Sequence, residues 1–93
     1  MSERANDNVV FIGKKPSMSY VLAVVTQFSS GQNSVVLKAR GKSISKAVDV
    51  AEIVKNKFIQ DAKVDEIKIG TEIIENEKKE KMNVSTIEIA LKK

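Results

Sequence analysis

Ninety-three residues, 42% of them apolar and 30% charged, suffice for one small globular domain and are too apolar for a disordered chain. The absence of Cys and His excludes disulfides and thiolate metal centres, and removes the commonest general base and metal ligand. A net charge of +4 favours polyanionic partners, because a positive surface potential attracts phosphate backbones.

Residues 1–7 are polar and lack periodicity, which reads as a disordered tail before a single domain over residues 8–93. That start has no apolar h-region, and no later apolar run could span a bilayer. A soluble intracellular protein without membrane contact is the plain expectation. Val9-Val10-Phe11-Ile12, ending at Gly13, is a short continuous apolar run, the pattern of a strand buried on both faces. Pro16 then disfavours helix at Lys15 and makes Ser17 the expected N-cap of a first helix. Met18, Val21, Leu22, Val25 and Phe28 repeat at helical spacing as its buried face, with Tyr20 and Val24 on another side. Gly31 is the natural C′ residue.

Val35 to Arg40 reads as a second strand. A strand–helix–strand unit makes the two strands parallel neighbours. The second helix is expected from Lys42 or Ser43 to about Gln60-Asp61, longer than the first, with Ile44, Ala47, Val48, Ala51, Val54 or Lys55, and Phe58 along its buried stripe. Phe58, among Lys55, Asn56 and Lys57, either caps the core or stands as an exposed anchor for a partner protein. Ile67, Ile69 and Ile73 alternate with polar residues, as do Ile87, Ile89 and Leu91, predicting two strands with one dry face each. The charged stretch Asn76–Asn83 between them, without Pro or Gly, reads as a solvated, mobile hairpin tip. The order is β-α-β-α-β-β.

Charge is concentrated in one segment. Between Asn8 and Val48 stand Lys14, Lys15, Lys38, Arg40, Lys42 and Lys46 without one acid, whereas nine Lys face ten acids from Asp49 onward. Gly41-Lys42-Ser43 resembles the end of a P-loop, but that motif requires glycine five residues before Gly41, where Val36 stands. The remaining reading is a glycine turn whose helix start offers backbone N–H groups to phosphate. In parallel neighbouring strands, Gly13-Lys14-Lys15 and Arg40-Gly41-Lys42 both lie at the C-terminal edge, where open α/β sheets bind ligands. Lys14, Lys15, Arg40, Lys42 and Lys46 therefore converge, which is costly unless a polyanion meets them. Lys78, Lys79 and Lys81 could add contacts from the hairpin, although Glu77 and Glu80 offset their charge. Few aromatics argue against repeated base stacking; Tyr20 alone could reach a groove or base, with a packing role as the equal alternative. Catalysis would need Ser43 or Ser45 with Lys46, yet serines at a helix start are ordinary caps. Asp49 and Glu52 read as members of solvated helix pairs. No cofactor or metal is implied.

Several stretches in order, Gly13-Lys14-Lys15-Pro16, Tyr20-Val21-Leu22, Lys38-Ala39-Arg40-Gly41, Ile44-Ser45-Lys46-Ala47-Val48-Asp49 and Asn83-Val84-Ser85-Thr86-Ile87-Glu88-Ile89, resemble the Alba family of archaeal chromatin proteins. The resemblance runs from about Asn8 to Lys93. It implies an α+β fold, a two-layer sandwich with two helices on a mixed four-stranded sheet. It also implies a homodimer that coats and condenses double-stranded DNA and binds RNA, cytoplasmic and chromosome-associated. An alternative is a protein that mainly stabilises or remodels structured RNA; a phosphate-ester enzyme is a third reading. By the same resemblance, Lys14, Lys15, Arg40 and Lys42 contact nucleic acid, with Tyr20 and Lys46 close to that surface. Lys14 becomes an acetylation target, with acetylating and deacetylating enzymes as partners, since losing its charge weakens phosphate contact. Phe58 matches a position of dimer–dimer contact, implying higher assembly on DNA. Glu77 and Glu80, and the lack of a tip glycine, depart from the family pattern and weaken the case for minor-groove insertion by the hairpin.

Overall fold

The computed structural model describes residues 8–93; the tail assigned to residues 1–7 lies outside them. Strand β1 (Val9–Phe11) leads to helix α1 (Ser17–Ser29), then β2 (Ser34–Arg40). A single 3-10 turn at Gly41–Ser43 opens α2 (Ile44–Ile53), which runs into a π-turn at Val54–Phe58. Strands β3 (Lys63–Glu75) and β4 (Lys81–Lys92) form the closing hairpin. The sheet order is β1-β2-β4-β3, with β1 and β2 parallel and the other pairs antiparallel. The β-α-β-α-β-β order is the one read from the residues, and the α+β, two-layer arrangement is the one that the resemblance implied.

Both helices cover one face of the sheet. Val35, Leu37 and Ala39 of β2, paired in register with Leu91, Ile89 and Ile87 of β4, point toward them. With Val10 and Ile12, with Val21, Val24 and Phe28 of α1, and with Ala47, Val50, Ala51 and Val54 from the second helical run, they make the core. Leu37 and Leu91 are completely buried, each contributing on the order of 2–3 kcal/mol by area removed from water.

Several local expectations are corrected. β1 is not buried on both faces: Val10 faces the core, but Phe11 is 66% exposed on the helix-free side. Ser17 is the first helical residue rather than the cap; Pro16 holds the cap position without a side-chain bond. The buried face of α1 is Val21, Val24 and Phe28, while Met18 and Leu22 are exposed. Gly31 does close the helix. Its φ of 108° allows its N–H to reach the Phe28 carbonyl and the Gln32 N–H that of Gln27, which is a Schellman cap.

The second helical run stops at Phe58, short of Gln60-Asp61, and its regular α part is the shorter of the two helices at 10 residues against 13. The Ile59 N–H bonds the Val54 carbonyl at 2.7 Å, an i→i+5 turn that breaks the α period. Val50 is buried where Val48 was expected, and Val48 and Phe58 are each 43% exposed. The dry face holds for β4, where Ile89 and Leu91 are buried, but not for β3. Ile67, Ile69 and Ile73 lie on the helix side yet are 55%, 83% and 67% exposed, because β3 is the outer strand. Beside Ile44, Ile69 and Ile87 border a shallow apolar depression continuous with the core.

The hairpin tip is solvent-exposed and carries its own turn hydrogen bonds. The Asn76 side-chain oxygen accepts from the N–H groups of Lys78 and Glu80 at 2.9 Å each, and the Asn76 N–H bonds the Glu80 carbonyl. Lys79 takes the left-handed conformation (φ 64°) that this turn requires.

Candidate nucleic-acid interface

Parallel pairing of β1 with β2 places the loops after these strands side by side, as the sequence implied. Their contact is specific. Lys46, in the first turn of α2, donates from Nζ to the carbonyls of Gly13 (3.2 Å) and Lys15 (2.7 Å). Ser43 Oγ reaches the Gly13 carbonyl at 3.5 Å, and the Lys15 N–H donates to Tyr20 Oη at 3.0 Å. Tyr20 is half-buried against the core, so the Gly13–Pro16 loop is held from two sides. An added Cβ at Gly13 would sit 3.3 Å from the Tyr20 hydroxyl. Gly41 has φ 58°, a conformation that L side chains rarely adopt, so glycine permits the turn out of β2.

The result is a ledge at the C-terminal edge of β1 and β2. Lys14, Lys15 and Lys42 are exposed on it, and no acid among the described residues lies within 4 Å of them. The other two cations assigned to the ledge are engaged. Lys46 is half-buried with its ammonium on two backbone carbonyls. Arg40 Nη1 lies 2.6 Å from Glu72 Oε1 of β3, with the two side chains 61% and 53% exposed. Lys38 stands 3.8 Å from Glu88 of β4. The segment that is free of acids in sequence is therefore not free of them in space. Glu72 and Glu88 were missed because only the strand register brings them to Arg40 and Lys38.

The hairpin extends from this same edge. β2 ends with Arg40 opposite Thr86, whereas β3 and β4 continue through five further pairs, Thr71↔Ser85 to Glu75↔Lys81. At ~3.4 Å per residue the arm reaches roughly 17 Å beyond Arg40. Lys78, Lys79 and Lys81 sit at its far end, exposed and away from the ledge. Phe58, at the end of the π-turn, is exposed among Lys55 and Lys57.

Comparison with known proteins agrees with this architecture. A family model described as Alba matches residues 8–71. The chain is 64% identical over 88 residues to the DNA/RNA-binding protein Alba of Picrophilus torridus, covering 94% of this chain and 97% of that one. It is 60% identical over 87 residues to that of Thermoplasma acidophilum, with the same shares covered. The structure of Alba from Thermoplasma volcanium superposes with a TM-score of 0.88 at 58% identity, over 92% of this chain and all of the other. ALBA1 from Trypanosoma brucei superposes at 0.77 with 25% identity, over 94% of this chain and 69% of that one. The ledge and its projecting arm thus stand on a known scaffold: the chain belongs to the Alba family.

Proposed function

We propose that this protein is an architectural nucleic-acid-binding protein that grips double-stranded DNA largely without sequence preference, and RNA by the same surface, with no catalytic role. The observation that carries the reading is the pair of basic loops locked together at one sheet edge. They present Lys14, Lys15 and Lys42 with Arg40 beside them, and the hairpin arm leaves from the same edge. Lysine ammonium groups on loops suit phosphate oxygens, which position a protein on a duplex but carry no sequence information. The relatives' names, DNA/RNA-binding protein, support both substrates. Structured RNA as the main target is the second reading.

Lys46 and Tyr20 act in this scheme as positioning residues that hold the Lys14–Lys15 loop in place. Lys78, Lys79 and Lys81 make a second, outlying set of contacts from the arm. The apolar strip of Ile44, Ile67, Ile69 and Ile87, with Ile67 and Ile69 exposed, supports a homodimer in which a second copy of the chain covers it; two ledges and two arms then face one duplex. The exposed Phe58 supports association of dimers along DNA. Lys14 is exposed and is the position where acetylation, set and removed by partner enzymes, would loosen the grip. Such a protein works in the cytoplasm on the chromosome.

The direct test is charge reversal at the ledge. The double variant Lys14→Glu/Lys15→Glu should lose binding to duplex DNA and RNA while keeping its melting temperature. Binding that survives the reversal would move the interface elsewhere.

A further inference from the structure

The helix-free face of the sheet carries a feature that phosphate gripping does not use. Register places Phe11, Lys38, Glu88 and Lys68 in one row across the four strands, all pointing away from the helices. Phe11 is 66% exposed. It borders an open cleft that is also lined by Gly13, Lys14 and the ion pairs Lys38–Glu88 and Arg40–Glu72. The cleft runs directly into the ledge, because Lys14 and Arg40 belong to both. Lys38 is ion-paired with Glu88 at 3.8 Å, beyond hydrogen-bond distance; an exposed pair of this kind is weak, so a phosphate can displace the carboxylate.

A flat aromatic face bordered by cations is the arrangement on which an unpaired base stacks while its own phosphates stay on lysines. A duplex offers no such base, since its bases are already stacked on one another. We propose that this cleft holds one unpaired nucleobase of a single-stranded RNA segment, stacked on Phe11, with the adjoining phosphates on Lys14 and Lys38. The ledge then grips duplex and single strand alike, and the cleft adds affinity only for the single strand. One stacking aromatic suits the scarcity of aromatics in the chain. The inference rests on the nucleic-acid reading above, which it extends by naming a second substrate form.

The test compares the intact protein with Phe11→Leu, which keeps an apolar group of similar size at an exposed position. The probes are duplex DNA and a short single-stranded RNA carrying 2-aminopurine, whose fluorescence is quenched on stacking. The variant should bind the single strand roughly tenfold more weakly and lose the protein-induced quenching, with duplex affinity, melting temperature and oligomeric mass unchanged. Equal losses on both probes, or no change on the single strand, would overturn the proposal. A change in oligomeric mass would also overturn it, by assigning Phe11 to a protein interface. If the intact protein bound neither probe, the broader nucleic-acid reading would fall with it; normal duplex binding with an unaffected single strand would remove the stacking site alone.

Discussion

Lys46→Met separates the two roles open to this residue. The substitution keeps the aliphatic stem and removes only the ammonium, leaving the Gly13 and Lys15 carbonyls without their partner at 3.2 and 2.7 Å. A hydrogen bond to a charged group contributes about 1.5–3 kcal/mol. The low end applies here, because the Lys15 contact is exposed and water can replace it, whereas the Gly13 contact is part-buried. A loss of about 1.5 kcal/mol, at roughly 4–8 °C per kcal/mol for a domain of this size, lowers the melting temperature by about 6–12 °C. Nucleic-acid affinity should also fall, because the Lys14–Lys15 loop is held less firmly. The slope of log K against log salt should nevertheless persist, since no phosphate contact is removed. Lys46→Arg, which can still donate to both carbonyls, should recover most of the stability. Thermal unfolding by circular dichroism and fluorescence-anisotropy titrations at several salt concentrations read both effects. An unchanged melting temperature with a slope shallower by about 0.9, the loss of one neutralised phosphate, would refute the positioning role and make Lys46 a direct contact.

Glu72→Gln removes the carboxylate that competes with phosphate for Arg40. An exposed ion pair contributes at most about 1 kcal/mol, so duplex affinity should rise by up to about fivefold at low salt; weaker or unaltered binding in the same titration would show that the pair does not compete. Ile69→Asp puts a charge in the middle of the exposed apolar strip and should convert a dimer to a monomer by light scattering. A dimer mass that persists would place the protein interface on another surface.

Much of the architecture could be read from residues alone, because its signals are local. A short apolar run, a Pro-led helix with a glycine stop, and a second strand fix a β-α-β unit. Its parallel pairing then brings Gly13–Lys15 beside Gly41–Lys42 without further information. What stayed hidden depends on partners distant in sequence. On α1, Met18, Val21, Leu22, Val24, Val25 and Phe28 spread over too wide an arc for periodicity to choose a face; packing on β2 and α2 selects Val24 and leaves Leu22 exposed. The alternation in β3 correctly marked one apolar side, but not that the helices stop short of the outer strand. Glu72 lies 32 residues from Arg40, and only the β2–β4–β3 register joins them. At the hairpin tip no glycine signals a turn, yet the Asn76 side chain supplies the bonds that shape it and Lys79 accepts the left-handed backbone. The basic ledge itself was legible; the division of its cations into free, paired and structural ones was not.

Phosphate gripping by the ledge is the central claim, and the salt dependence of duplex binding tests it most directly. Lys14, Lys15 and Lys42, with Arg40 once it exchanges Glu72 for phosphate, give three to four neutralised phosphates per chain, and log K should fall by about 0.9 for each per tenfold rise in salt. Measured slopes of about −3 or steeper are the predicted result, reaching roughly −6 if both ledges of a dimer engage one duplex. A slope shallower than about −1 would mean that barely one phosphate is neutralised, and would contradict the account.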